Sequence, residues 1–104
     1  MATQQYSSFE ALLESSDKPV LVDFYAPWCG PCQMMAGFLK QAKSQLGDRV
    51  SIVKINTDNY PAIASQHRIE ALPTLVLFKD GQPCDRIEGV LRPDQLVQRI
   101  QTQL

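Results

Sequence analysis

The sequence feature that most restricts the possible fold is a pair of cysteines between a strand pattern and a helix pattern. Cys29 and Cys32 lie three residues apart in the segment WCGPC, residues 28–32. An apolar run at residues 20–26 precedes them and is typical of a buried strand, while good helix formers occupy residues 33–46. A strand, a tight turn and a helix start therefore meet at two thiols. This context favours a redox dithiol over a chance pair of cysteines.

The length and composition are those of an ordinary globular chain. With 104 residues, 44% hydrophobic and 20% charged, it is long enough to form one domain, residues 1–104, around a hydrophobic core. A formal net charge of −1 gives no reason to expect nucleic acid or an anionic membrane as a partner. Three cysteines are too few for the disulfide framework of a small secreted protein. We expect a monomer.

The N-terminal residues lack the features of a targeting segment. Residues 1–6 contain neither a basic cluster nor an apolar run, so we expect neither a secretory signal nor a membrane-spanning helix there. A reducing, cytoplasmic location is the default expectation, although a processed organellar form would have the same features.

Alternating patterns along the chain predict an α/β fold. The predicted elements are a helix capped by Ser7 or Ser8, a strand at 20–26, a helix at 31–46, a strand at 50–55, a helix at 58–67, a strand at 74–78, a hairpin turn at 79–82, a strand at 85–88 and a helix from Pro93. Strands and helices alternate first, and a hairpin closes the sheet. We therefore expect helices on both faces of one central sheet.

The position of the two thiols suits disulfide exchange. Only a thiolate attacks a disulfide, and at a helix start the unpaired N–H groups and the helix dipole stabilise such an anion. Pro31 suits the first helical turn, and we expect Gly30 to permit a sharp turn out of the strand. Cys29, expected to be the more exposed thiol, would attack the target, and Cys32 would resolve the mixed disulfide.

Half of a zinc site is the alternative for such a pair. Structural zinc usually takes four cysteine or histidine ligands. Only Cys84 and His67 remain to complete the set, and both lie far from the dithiol in sequence. The sequence thus favours redox chemistry, with no metal and no cofactor. We expect Cys84 to be a passive edge-strand cysteine rather than a regulatory or glutathionylation site, and His67 to face solvent.

Asp23 is an ionisable residue in an otherwise apolar strand. Burial of its carboxylate would raise the pKa, and a carboxyl group beneath the dithiol could accept the proton of Cys32 as that thiol attacks. The alternative is a strand-end aspartate that faces water. Lys54, in the next strand, either approaches Asp23 and moderates this shift or extends into solvent; the sequence leaves both possibilities open.

These residues, in this order, resemble the thioredoxin family. The resemblance covers nearly the whole chain and is carried by Val22–Ala26, Trp28–Cys32, Lys54, Leu72–Thr74, Gly81 and Gly89. It implies a thioredoxin fold, a mixed sheet of five strands in the order 1-3-2-4-5 flanked by four helices, with a first strand near Thr3–Tyr6. It also implies a general electron donor that reduces protein disulfides and is recharged by an NADPH- or ferredoxin-dependent thioredoxin reductase.

The resemblance further implies a substrate surface around the dithiol. In the family the proline that corresponds to Pro73 is cis and lies against the dithiol, whereas bond statistics alone favour trans. The preceding backbone is then free to pair with an extended substrate, and Gly89 allows close backbone approach. The implied docking rim consists of Trp28, Ala71, Leu72, Gly89 and Val90.

Three positions depart from the common family pattern. Gly37 replaces a helix-kinking proline, Gln33 replaces a frequent lysine, and Tyr25 replaces a frequent tryptophan. We expect a straighter and locally less stable long helix, and effects on the redox potential and partner preference rather than on the reaction.

Two other functions stay open. An oxidant or isomerase often carries histidine between the cysteines, so Gly30–Pro31 argues for a reductant. A non-catalytic docking module would need neither thiol, nor Asp23, nor Pro73, so the presence of all four residues argues against it.

Overall fold

The computed structural model describes residues 8–104, and within them four strands and four α-helices alternate as predicted. The elements are α1 (Phe9–Ser15), β1 (Val20–Tyr25), α2 (Gly30–Leu46), a 3₁₀ turn (Gly47–Arg49), β2 (Ser51–Asn56), α3 (Pro61–Gln66), β3 (Thr74–Lys79), β4 (Gln82–Glu88) and α4 (Pro93–Gln101). Ser8 caps α1, because its Oγ accepts a hydrogen bond from the N–H of Ala11 at 3.0 Å.

The strands form a mixed sheet in the order β2-β1-β3-β4. β1 pairs with β2 in parallel and with β3 antiparallel, and β3 and β4 form an antiparallel hairpin. This order agrees with four of the five strands that the sequence led us to expect. The remaining one, near Thr3–Tyr6, lies outside the described residues.

Two hydrophobic cores cover the two faces of the sheet. One packs α2 and α4 against the sheet; the other places α1 on the opposite face, with α3 at its margin. β1 supplies both, because Leu21 points to the first core while Val20 and Val22 point to the second. The prediction of helices on both faces is confirmed. Asp23, two residues after Leu21, accordingly lies on the α2 face.

Within residues 8–104, none of the helices combines the length and the apolar character that crossing a bilayer requires.

Candidate active site

The end of β1 and the start of α2 bring the two cysteines together. The N–H of Cys29 donates to the carbonyl oxygen of Ala26 at 3.2 Å, which closes a tight turn after the strand. Cys29 is then the N-cap of α2, and Pro31 lies in the first helical turn as predicted. Cys32 occupies that first turn, so the three-residue spacing sets both sulfurs at the positive end of a 17-residue helix.

Cys29 and Cys32 form a disulfide bond, with their Cα atoms 5.3 Å apart. The Sγ of Cys29 also accepts a hydrogen bond from the N–H of Cys32 at 3.2 Å. Exposure does not distinguish the two residues, since Cys29 is 5% exposed and Cys32 4%. The order is the predicted one, but a difference of one percentage point does not identify the attacking thiol. What distinguishes Cys29 is its position at the N-cap, where its sulfur receives a backbone donor.

Gly30 does not form the turn that the sequence led us to expect. It is the first residue of α2, and it is not among the glycines with positive φ, which in residues 8–104 are Gly47, Gly81 and Gly89. A Cβ atom at position 30 would have no heavy atom within 4 Å. The chain turns between Ala26 and Cys29 instead, so the backbone does not require glycine at this position.

Asp23 is buried on the side of β1 that faces α2. It is 1% exposed, and its Oδ1 has no hydrogen-bond partner among the described residues. Desolvation raises the pKa of this carboxyl to about 6, and the positive charge of Lys54 opposes the rise. The predicted direction is confirmed, and the alternative of a water-facing strand-end aspartate is excluded.

Lys54 combines the two behaviours that the sequence left open. It lies directly opposite Asp23 in the parallel register of β1 and β2, yet its side chain is exposed. Its Nζ lies 5.7 Å from the centre of the Tyr25 ring. No ion pair joins Lys54 to Asp23 within the described part of the chain, so the lysine acts on the carboxyl through its charge rather than through contact.

A cavity of about 280 Å³ opens on the Asp23 side of the dithiol. Its lining includes Asp23, Cys32 and Lys54, together with Gln33 and Tyr25, two of the positions that depart from the family pattern. The buried carboxyl, the second cysteine and the exposed lysine thus share one opening.

A groove of about 440 Å³ lies on the other side of the dithiol, beside Cys29. Its lining residues are Trp28, Cys29, Gly30, Pro31, Thr57, Ala64, Ile69, Glu70 and Leu72. Trp28 is 73% exposed, and its Nε1–H donates to Oδ2 of Asp58 at 3.1 Å, which fixes the orientation of the indole. Trp28 therefore presents a large exposed aromatic ring directly beside the disulfide.

The loop before β3 forms one wall of this region. The Leu72–Pro73 peptide bond is cis, as the family resemblance implied. The carbonyl oxygen of Pro73 accepts the N–H of Gly89 at 3.0 Å, and Gly89 has φ of +90°, a conformation that favours glycine. Ala71 is exposed and Val90 half-buried, but neither lines the groove beside Cys29. Only Trp28 and Leu72 of the expected rim do so.

Sequence reasoning missed Glu70, which lines the groove, and Asp58, which accepts the hydrogen bond of the Trp28 indole. Glu70 lies three residues before Pro73, so its place in the chain could have pointed to it. Asp58 follows β2 and reaches Trp28 across 30 residues of sequence, a contact that no local pattern predicts.

The prediction that His67 faces solvent is wrong. Its ring packs against Phe9, Phe24 and Phe78, with centroid distances of 5.5, 6.1 and 5.5 Å. Burial lowers the pKa of His67, with a smaller rise from the charge of Glu10. Its carbonyl oxygen accepts a hydrogen bond from the guanidinium of Arg86.

Cys84 is an exposed free thiol on β4, an edge strand of the described sheet, as the sequence predicted. Partial desolvation of the thiol raises its pKa, and the positive charge of Lys79 opposes the rise. Among residues 8–104 no group of three or more His, Cys, Asp or Glu side chains is placed to hold a metal ion. The zinc alternative therefore gains no support from this part of the chain.

The family model named Thioredoxin matches residues 1–102 of the chain. This chain belongs to the thioredoxin family. It is 57% identical over 101 residues to Thioredoxin Y1, chloroplastic, of Arabidopsis thaliana, which covers 97% of this chain and 59% of that relative. It is 58% identical over 98 residues to a thioredoxin-like protein of Synechocystis sp., covering 94% of this chain and 93% of that one.

A solved structure shares the thioredoxin fold. The oxidised mitochondrial thioredoxin 3 of Saccharomyces cerevisiae superposes with a TM-score of 0.81 and 38% identity, covering 90% of this chain and 86% of that one. The chain spans about 60% of the length of the chloroplastic relatives from Arabidopsis thaliana and rice.

Proposed function

We propose that this protein is a thiol–disulfide oxidoreductase that reduces disulfide bonds in other proteins and serves as a general electron donor to them. The observation that carries the proposal is the hydrogen bond from the N–H of Cys32 to the Sγ of Cys29 at the N-cap of α2. In the reduced protein this donor and the helix dipole would stabilise a thiolate on Cys29, the form that attacks disulfides. Membership of the thioredoxin family supports the same chemistry.

The proposed reaction transfers two electrons and two protons to the target. The Cys29 thiolate attacks one target sulfur, forming a mixed disulfide and releasing the other target sulfur as a thiolate that takes a proton from water. Cys32 gives its proton to Asp23 and attacks the Sγ of Cys29. The Cys29–Cys32 bond forms, the mixed disulfide breaks, and the second target thiolate is protonated in turn.

The neighbouring residues would support these steps. The pKa of Asp23, raised to about 6 by burial, lies close enough to neutrality for the carboxylate to accept a proton and release it again. Lys54 would keep the carboxyl partly ionised through its charge. Trp28, Leu72 and the loop around Pro73 would hold the target beside Cys29, with Ala71, Gly89 and Val90 extending this surface.

The partners are proposed at the level of class. Target proteins contribute a disulfide, and a thioredoxin reductase that draws on NADPH or ferredoxin would restore the dithiol. Relatives named chloroplastic, together with one from Synechocystis sp., favour a photosynthetic organism as the source of the protein. The cytoplasmic location expected from the sequence stays a prediction, beside the processed organellar form. A monomeric single domain, residues 1–104, stays a prediction.

Reduction of insulin by dithiothreitol tests the proposal. The wild-type protein should accelerate precipitation of the insulin B chain, and Cys29→Ser should abolish that acceleration. Cys84→Ser is the matched control, because it removes the exposed thiol on β4 and should retain the wild-type rate. Cys32→Ser should accumulate a mixed disulfide on a non-reducing gel. Acceleration that survives Cys29→Ser would refute the proposed nucleophile.

A further inference from the structure

The groove beside Cys29 combines negative charge with an exposed aromatic ring. Glu70 lines the groove, and Asp58 lies at its edge, bound to the Nε1–H of Trp28. Both carboxylate residues are exposed, and so is most of the Trp28 indole. Carboxylates beside an oriented indole offer both an ion pair and a ring face, the two interactions that a lysine or arginine side chain makes.

No positive charge offsets these carboxylates within the groove. None of the described residues that line it is lysine or arginine. Lys54 lines the cavity on the opposite side of the dithiol, and Gln33 is uncharged. Arg86 directs its guanidinium to the carbonyl oxygens of His67 and Arg68. Arg68 is exposed two residues before Glu70 but does not line the groove.

We propose that Trp28, Asp58 and Glu70 select target disulfides that carry a lysine or arginine beside the attacked cysteine. The inference rests on the proposed function, since it concerns the orientation of a target whose sulfur is attacked by Cys29. The cationic side chain lies across the indole and places its charge near the two carboxylates. This contact brings the target sulfur to Cys29 and disfavours targets with an acidic residue at the same position.

Two disulfide peptides that differ at one position provide the test. One carries arginine beside the attacked cysteine and the other carries glutamate. The second-order rate constant is measured with pre-reduced protein from the change in fluorescence of Trp28, the only tryptophan in the chain. We expect the arginine peptide to react roughly two- to fivefold faster, the range that exposed ion pairs supply. The preference should disappear near 1 M salt, where the Debye length falls to about 3 Å.

Charge reversal at Glu70 separates the proposed contact from a general effect of net charge. Glu70→Lys should abolish or reverse the preference. Glu14→Lys makes the same change on α1 beside Gly81, at the opposite end of the sheet, and should keep the wild-type preference. Circular dichroism checks that both variants fold.

The outcomes distinguish this inference from the proposed function. If both peptides are reduced at equal rates, or if the two variants behave alike, the selection by Glu70 is refuted while the reductase activity stands. If neither peptide is reduced, the proposed function itself fails, and the inference fails with it.

Discussion

The carboxyl group of Asp23 is costly to ionise where it lies. Its pKa is raised to about 6 from 3.8 because β1 buries it and its Oδ1 has no partner in the described residues. A rise of this size corresponds to roughly 3 kcal/mol of destabilisation once the group is charged. A single residue thus weakens the fold at neutral pH, and its proposed role in proton transfer gives a reason for that cost.

Replacement of Asp23 by asparagine should therefore stabilise the protein and slow its reaction. We expect Asp23→Asn to increase the free energy of unfolding at pH 7.5 by up to roughly 3 kcal/mol, measured by urea denaturation of the oxidised form. Resolution of the mixed disulfide, followed in a single turnover, should become slower because Cys32 loses its proton acceptor. Asp17→Asn, an exposed control, should change neither quantity. Equal stability of Asp23→Asn and wild type would contradict the argument.

The sequence was informative about residues whose role depends on their neighbours in the chain, and less so elsewhere. The burial of Asp23 followed from the apolar strand around it, and the positions of Cys29 and Cys32 followed from the strand–helix boundary. His67 was placed wrongly, because its ring packs against three phenylalanines from α1, β1 and β3 and is half-buried. Contacts between distant segments leave no local pattern.

At the scale of elements, α2 runs without interruption from Gly30 to Leu46, and Gly37 is exposed on its surface. A Cβ atom at Gly37 would have no heavy atom within 4 Å. Gly37→Ala should then stabilise the protein by about 0.5–1 kcal/mol, since alanine loses less backbone entropy in a helix. Urea denaturation measures the change.

Gly47 supplies the matched control for this substitution. It ends α2 with φ of +60°, which an alanine adopts only with strain, although space for a Cβ is open there too. Gly47→Ala should lower the free energy of unfolding while Gly37→Ala increases it. Changes of the same sign would show that backbone conformation does not govern these two sites.

Element types were predictable from hydrophobic periodicity, but some boundaries were not. β4 starts at Gln82 rather than at the predicted Asp85. Its first three residues, Gln82, Pro83 and Cys84, are exposed and show no strand pattern, and this part of β4 joins the sheet only through pairing with β3. α3 begins at Pro61 instead of residue 58, because residues 56–60 first form a turn. In this turn the N–H of Asp58 donates a hydrogen bond to Oδ1 of Asn56. In both cases tertiary pairing and side-chain capping override the local pattern.

At the scale of the whole molecule, the free energy of unfolding depends on pH through Asp23 and His67, and the two residues change it in opposite directions. The raised pKa of Asp23 means that the native state binds this proton more tightly than the unfolded state does. The resulting stabilisation of the native state is present at low pH and is lost as pH rises through about 6. The lowered pKa of His67 means that the unfolded state binds the proton first, so stability falls as pH drops below 6.5. The two effects oppose each other between pH 5 and 7.

Single substitutions should separate the pH effect of Asp23 from that of His67. Asp23→Asn should become less stable on acidification from pH 7 to 5, because only the His67 effect remains. His67→Asn should become more stable over the same interval, because only the Asp23 effect remains. Urea denaturation of the oxidised proteins at several pH values measures both slopes, and parallel curves for the two variants would overturn this assignment.

The groove and the Asp23 cavity leave the redox centre with two entrances on opposite sides. In the proposed reaction, a target polypeptide lying along Trp28 and Leu72 would cover the first entrance and leave the second in contact with bulk water. Asp23 could then exchange its proton with water through the second entrance while the target is still bound, so that the proposed reaction would be completed before the product leaves.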